Sequence, residues 1–232
     1  MIPAATLALV DKPSWFDNPV LTTKLWPATL ETLAMTATSA ILTIALGLPL
    51  GLLLVATAPR GIRENRVVYA ILGALVNIGR SIPFIILMIA LIPITREVMG
   101  TAIGWTSAVL PLAVAAIPFF ARLVETSVLA INPGTVTAAT MMGATGRQVM
   151  TVQMREALPG IVQGITVLVI TLIGYSAIAG VLGGGGLGTL AYNYGYQRYQ
   201  NDTMIATVVV ILVIVQLVQM LGDMCSRLVD HR

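Results

Sequence analysis

Residues 132–160 have the sequence NPGTVTAATMMGATGRQVMTVQMREALPG, a stretch too polar for lipid that lies between two hydrophobic spans. The Asn-Pro pair at 132–133 is typical of the N-cap and first position of a helix, and Gly143 supplies a natural stop. Thr145 lies three residues before Gln148, which is the spacing of a capping box that starts a second helix. The stretch therefore predicts two short helices around a glycine elbow.

Composition places the chain in a membrane. Of 232 residues, 57% are hydrophobic and only 10% are charged, whereas soluble domains carry about 25% charged residues. This length allows one helical bundle and no separate soluble domain. The net charge of +3 is spread over dispersed arginines, which argues against nucleic-acid binding. The single cysteine, Cys225, excludes an intrachain disulfide and a cysteine metal cluster.

Hydropathy divides the chain into an external or interfacial tail, residues 1–30, and one transmembrane domain, residues 31–232. The first residues lack the basic start of a signal peptide, so we expect a retained tail that contacts the interface through its aromatic residues, Trp15, Phe16 and Trp26. The predicted fold is an all-α integral membrane protein with five transmembrane helices and a cytoplasmic helical loop at 132–160. The spans are 33–58, 67–94, 102–121, 161–181 and 204–221, and Pro159 is expected as the first residue of the fourth helix.

Basic residues set the predicted orientation. Seven arginines fall on one side of this arrangement, namely Arg60, Arg63, Arg66, Arg147, Arg155, Arg227 and Arg232. Four basic residues fall on the other side, namely Lys12, Lys24, Arg96 and Arg198. Because basic residues favour the cytoplasmic side, we expect the N-terminus outside and the C-terminus in the cytoplasm.

The second span contains a charge. Arg80 and Pro83 interrupt it, and neither half is long enough to cross a bilayer, so we expect one long helix that is kinked or tilted. Asn77, Arg80 and Ser81 share one face of this helix. A charge near mid-membrane costs about 2.5–3.5 kcal/mol, so it should face protein or water. Two alternatives remain: this face lines a substrate route or gate, or Arg80 binds freed carbonyls or a neighbouring helix.

Two other patterns have structural explanations. Arg122 and Glu125 are three residues apart at the inner end of the third span, which indicates an ion pair. Gly183, Gly185 and Gly188 satisfy GxGxxG, but they follow a membrane helix and not a strand, so a close-packed or re-entrant turn is expected in place of a dinucleotide site. Four tyrosines follow and suggest an interfacial aromatic belt or a docking surface for an external protein, Tyr192, Tyr194, Tyr196 and Tyr199.

The sequence offers little for catalysis. His231 is the only histidine and stands next to the last residue, and the chain contains no GxSxG, HExxH or Walker A motif. We therefore expect no enzymatic activity, no cofactor and no metal site. Besides a membrane enzyme, a secondary transporter is an alternative function for this chain. The acids Glu31, Glu125 and Asp223 stand at span ends, which argues against proton coupling, while sodium coupling through carbonyls stays open.

The 132–160 stretch resembles the cytoplasmic coupling loop of permease subunits in ABC importers, whose pattern is Glu-Ala-Ala, three residues, Gly, and later Ile-x-Leu-Pro. Thr137, Ala138, Ala139 and Gly143 match its spacing, with Thr in place of Glu, and Leu158-Pro159 comes a few residues late. An amphipathic hairpin on the membrane surface is the alternative. Three further segments resemble the methionine importer branch of this family, NIGRSIPFI at 77–85, REALPG at 155–160 and GYSAIAGVLGGGGLGTLAYNYGYQRY at 174–199.

This resemblance implies a permease of a bacterial inner membrane that forms a homodimer. It implies two cytoplasmic ATPase subunits, an external substrate-binding protein, and methionine or a similar small amino acid as cargo. The residues expected to couple the permease to the ATPase are Thr137, Ala138, Ala139, Gly143, Arg147 and Arg155. Position and polarity together suggest that five residues line the translocation route, namely Asn77, Arg80, Ser81, Tyr175 and Ser176.

Overall fold

A computed structural model describes residues 18–59 and 61–230. All regular secondary structure in these residues is helical, in the order α1 (Pro19–Thr57), α2 (Arg66–Ser81), α3 (Phe84–Met99), α4 (Trp105–Leu129), α5 (Pro133–Met141), α6 (Gly146–Val181), α7 (Gly186–Leu190), a π-helical turn (Ala191–Tyr196) and α8 (Asn201–Val229). The predictions for Trp15 and Phe16, and the charges of Lys12, Arg60, His231 and Arg232, lie outside the described residues.

The predicted all-α architecture of membrane spans is confirmed. Among the described residues, α1, α4, α6 with its continuation to Tyr196, and α8 are each long and apolar enough to cross a bilayer. Helices α2 and α3 are long and apolar enough only as a bent pair, so the described residues contain four such spans, or up to five when this pair is counted as one.

The prediction of one long helix through the second span is wrong. Helices α2 and α3 are separate and meet at 101°. Ile82 is extended, at φ −79° and ψ 122°, because the residue before a proline is disfavoured in the helical conformation, and Pro83 takes the N-cap position of α3. Each helix has 16 residues and is about 24 Å long, less than the roughly 30 Å of hydrocarbon. The span is therefore broken.

Helix α1 begins at Pro19, within the predicted tail of residues 1–30 and before the predicted first span. Asn18 accepts a hydrogen bond from the amide of Val20 at 2.9 Å, and Pro19 occupies the first helical position. The result is a 39-residue helix that carries Trp26, 67% exposed, before the first span. An Asn-Pro pair at 18–19 thus starts a helix as the pair at 132–133 does.

Pro159 does not start the fourth helix, contrary to the prediction. Helix α6 runs unbroken for 36 residues through Pro159. Prolines are tolerated within membrane helices. Helix α8 contacts α6 at this point, where the Ser226 hydroxyl donates to the Pro159 carbonyl at 3.3 Å. Gly160 lies so close to α4 that a Cβ there would be 3.2 Å from the Cβ of Ser127.

Helix α4 is the centre of the core. It packs against α1, α2, α3 and α6, and its Leu112 and Phe120 are fully buried. They join one cluster with buried side chains of α1 and α6, including Met35, Leu168 and Leu172. Helix α8 lies at the edge, and only three of its 29 residues are buried, Thr203, Thr207 and Ser226. Its exposed apolar face suits lipid or another subunit.

Contacts between loops show which of the loops that connect the helices lie at the same end of the bundle. At one end the α1–α2 loop reaches the elbow between α5 and α6, where Ile62 would lie 2.6 Å from a Cβ on Gly146. At the other end the α3–α4 turn meets the turn after α6, since the Gly104 amide donates to the Gly183 carbonyl at 2.9 Å. The predicted grouping of loops on opposite sides agrees with these contacts.

Candidate functional site

The elbow at one end of the bundle has the predicted geometry. Asn132 caps α5 by accepting from the Gly134 amide at 2.8 Å, and the Thr145 amide donates to Gln148 Oε1 at 2.8 Å at the start of α6. Gly143 between them has φ +79°, a conformation that glycine adopts without strain. The second helix is much longer than predicted, because α6 continues from the elbow into the membrane.

The elbow presents its surface to the surroundings. No residue of α5 is buried, and Met141 and Met142 at its end are 85% and 88% exposed. Of the expected coupling residues, Ala139 is half-buried, and the others are exposed: Thr137, Ala138, Gly143, Arg147 and Arg155. Adjacent exposed methionines outside the bundle core form an adaptable apolar surface of the kind used for protein contacts. The elbow therefore has an exposed apolar surface at the end of the bundle.

A polar network joins α2 to α4. The Arg122 Nη1 donates to Glu125 Oε2 at 2.5 Å, which confirms the predicted ion pair. The other carboxylate oxygen, Glu125 Oε1, accepts from the Tyr69 hydroxyl at 2.9 Å. Arg122 Nη2 donates to Asn77 Oδ1 at 2.7 Å. Glu125 is 98% buried only because both of its oxygens have donors, as a buried carboxylate requires.

The break between α2 and α3 gathers most of the expected route residues. Asn77, Arg80 and Ser81 are all exposed on the last turns of α2, where the Ser81 hydroxyl donates back to the Asn77 carbonyl at 2.8 Å. Tyr175 of α6 reaches the same place, since its ring stacks on that of Phe84, the first residue of α3, with centroids 4.5 Å apart.

Ser176 lies apart from this group. It is buried, 2% exposed, and its hydroxyl donates to the Ile173 carbonyl of its own helix at 2.7 Å. It therefore has no access to the break in this conformation.

Sequence reasoning missed Tyr69 and the link from Arg122 to Asn77. Arg122 and Asn77 are 45 residues apart in the chain, and Tyr69 and Glu125 are 56 apart, so no local spacing signals these contacts. The only available signal was that Asn77 and Arg122 are polar groups within or at the end of apolar spans, which need partners.

The glycine-rich turn after α6 is close-packed, as expected. Gly183 has φ +89°, and a Cβ on Gly188 would lie 2.4 Å from the Ala177 carbonyl oxygen. Helix α1 stabilises this turn from the side: Glu31 accepts from the Gly186 amide at 2.7 Å and Thr32 from the Leu187 amide at 2.8 Å. Close backbone packing therefore explains why this turn is rich in glycine.

The tyrosines that follow are partly engaged within the protomer. Tyr192 and Tyr196 stack at 5.7 Å between centroids, and the Tyr194 ring contacts Lys24 and Arg198 at 4.7 and 4.5 Å. The Lys24 ammonium also donates to the Tyr194 hydroxyl. An aromatic belt or an external docking surface therefore stays a prediction for this end of the bundle.

Comparisons with known proteins agree with this architecture. Residues 47–232 match the model of the family described as binding-protein-dependent transport system inner membrane component. The chain is 47% identical over 221 residues to a probable D-methionine transport system permease protein of Vibrio cholerae, covering 94% of this chain and 96% of that one. It is 42% identical to a methionine import system permease protein of Bacillus subtilis, over 94% of this chain and 98% of that one.

A solved structure has the same fold. A chain of the inward-facing MetNI methionine ABC transporter superposes with a TM-score of 0.88 at 44% identity, covering 92% of this chain and 99% of that chain. The broken second span, the exposed elbow and the close-packed glycine-rich turn thus occur in a chain that belongs to the family of inner membrane components of binding-protein-dependent transport systems.

Proposed function

We propose that this chain is the permease subunit of an ABC importer for methionine or a similar small amino acid. Two copies form the translocation route, two copies of a separate ATP-binding subunit bind the elbows, and an external binding protein delivers the substrate. The similarity to the methionine permeases and to the MetNI transporter supports both the cargo and the partners. Residues 31–232 act as one transmembrane domain, supported by the single main core cluster that joins α1, α3, α4 and α6.

The observation that carries the proposal is the continuity of α6 with the elbow. At 36 residues, α6 is about 54 Å long and connects the exposed elbow to the turn at the opposite end of the bundle. The ATP-binding subunit would bind α5 with its small residues Ala138 and Ala139 and the apolar Met141 and Met142. Closure of the ATP-binding subunits would move the elbow, and α6 would carry that movement across the membrane.

The predicted orientation completes the proposal. The elbow and the α1–α2 loop face the cytoplasm, and the glycine-rich turn with its tyrosines faces outward. The contact of Ile62 with Gly146 supports this, because it joins two loops that both carry arginines. The route runs along the break at Asn77, Arg80 and Ser81, with Tyr175 beside it.

The test is reconstitution in proteoliposomes of this chain, its ATP-binding subunit and the binding protein. We expect uptake of labelled methionine that requires all three components and ATP on the side of the elbow. Uptake by the permease alone under a sodium gradient would support a secondary transporter instead and contradict the proposal. Chemical turnover of a substrate by the isolated chain would support an enzyme and would also contradict the proposal.

A further inference from the structure

Helix α2 has two different exposed flanks beside its buried residue Val76. At about 100° per residue, one flank is a sector of roughly 80° with large apolar side chains, and the adjacent sector of roughly 60° has small or polar ones. The apolar flank consists of Val67, Ile71, Leu75 and Ile78, and the polar flank consists of Ala70, Ala74, Asn77 and Ser81, all exposed. The apolar flank suits lipid, whereas the polar flank suits water or substrate.

The network on α4 fixes which atoms Asn77 offers to that flank. A guanidinium is only a donor, so the amide atom that faces Arg122 is the oxygen. The two N–H bonds of Asn77 Nδ2 consequently point away from Arg122. Arg122 also donates to Glu125, and Glu125 accepts from Tyr69, so the guanidinium that faces Asn77 is held in place from α4 and α2.

Arg80 adds a positive charge one turn further along. It is exposed and makes no hydrogen bond or ion pair with the residues that the structure describes. Because it lies three residues after Asn77, its side chain is on the same side of α2. An amide N–H₂ and a guanidinium are both donors, and the two oxygens of one carboxylate can accept from both.

We propose that Asn77 and Arg80 together bind the carboxylate of the transported amino acid at the break between α2 and α3, and that Arg122 is a positioning residue that orients the Asn77 amide. The proposal rests on the proposed function, because it takes an amino acid as cargo, and it adds the group of the cargo that the permease recognises. Tyr175, half-buried and stacked on Phe84, lies beside the same break.

Asn77→Asp distinguishes this role from a structural one. The new carboxylate would form an ion pair with Arg122 and keep the α2–α4 contact, but it would place a negative charge and no donor beside the route. We expect the complex to assemble with its ATP-binding subunit as before, with maximal ATP-driven methionine uptake at least about tenfold lower. The concentration of loaded binding protein that gives half-maximal uptake should not change.

Arg80→Gln should lower maximal uptake to a similar extent, and Arg80→Lys should keep a part of it, because the charge remains and the fork of donors is lost. Arg122→Gln tests the positioning role: it should lower maximal uptake, and Arg122→Lys, which can still donate to Asn77 Oδ1, should restore part of it. Ile78→Ala, on the neighbouring apolar flank, is the matched control and should transport like the unaltered complex.

Wild-type uptake by Asn77→Asp and Arg80→Gln, in a complex whose unaltered form transports methionine, would overturn this inference and leave the proposed function intact. A failure of the unaltered complex to take up methionine with ATP would overturn the proposed function, and the inference with it.

Discussion

Gly222 of α8 lies directly on Thr166 of α6, so closely that a Cβ at position 222 would be 2.0 Å from the Thr166 hydroxyl oxygen. One turn further along α8, Ser226 donates to the Pro159 carbonyl of α6. Although α8 is mostly exposed, these contacts hold it against the helix that begins at the elbow. We therefore expect movement of α6 to carry α8 with it.

Gly222→Ala should destabilise the permease, although alanine favours helices over glycine. The new methyl group overlaps Thr166, and such overpacking costs about 1–3 kcal/mol. Gly174→Ala in α6 is the matched control: its Cβ meets no atom within 4 Å, so the change should stabilise by about 0.5–1 kcal/mol. Thermal unfolding of the purified protein in detergent measures both. Equal shifts in melting temperature would contradict the close contact.

Gly186→Ala should be more harmful than Gly100→Ala, although the two glycines have nearly the same φ, +72° and +74°. The dihedral strain of about 1–2 kcal/mol is common to both variants. A Cβ at Gly186 would also lie 2.5 Å from Thr32 Oγ1, whereas Gly100 has no atom within 4 Å. The difference between the two melting temperatures therefore measures how tightly α1 packs against the glycine-rich turn. Identical losses would show that α1 does not pack there.

The losses of stability caused by Tyr69→Phe and by Glu125→Leu should not be additive. Tyr69→Phe leaves one oxygen of a buried carboxylate without its donor, a loss of about 1–3 kcal/mol. Glu125→Leu removes the carboxylate together with that hydrogen bond and the ion pair to Arg122, a loss of at least about 1–3 kcal/mol. Since both variants remove the same Tyr69–Glu125 contact, the double variant should be no less stable than Glu125→Leu alone. Additive losses in detergent unfolding would mean that the two residues act separately.

Gly143→Asn and Gly143→Val should differ in ATP-driven uptake. Asparagine tolerates positive φ, but a β-branched residue does not, so valine would change the angle between α5 and α6. We expect Gly143→Val to lower ATP-driven uptake several-fold with normal membrane insertion and continued ATP hydrolysis, and Gly143→Asn to stay close to wild type. Full transport by Gly143→Val would indicate that the elbow transmits no force.

Local signals predicted the features that local chemistry determines. The caps at Asn132 and Thr145 and the Gly143 turn lie within a few residues of the groups they bind, and the structure has all of them. The start of α1 at Asn18 and Pro19 has the same signal as Asn132 and could have been predicted from it.

Features that depend on packing could not be predicted in this way. The α2–α3 break was expected as a kink, because its angle depends on how both helices pack on α4. Pro159 was expected to start a helix, but contacts with Ser127 and Ser226 support a continuous α6. The partnership of Asn77 with Arg122 spans two helices, so only the folded arrangement reveals it.

The most direct test of the account is the accessibility of the elbow, measured on Met142→Cys in a Cys225→Ser background with a maleimide that does not cross membranes. The account predicts labelling in inside-out vesicles and none in intact cells, with the label blocked when the ATP-binding subunit is bound. Labelling of Met142→Cys from outside intact cells would contradict it.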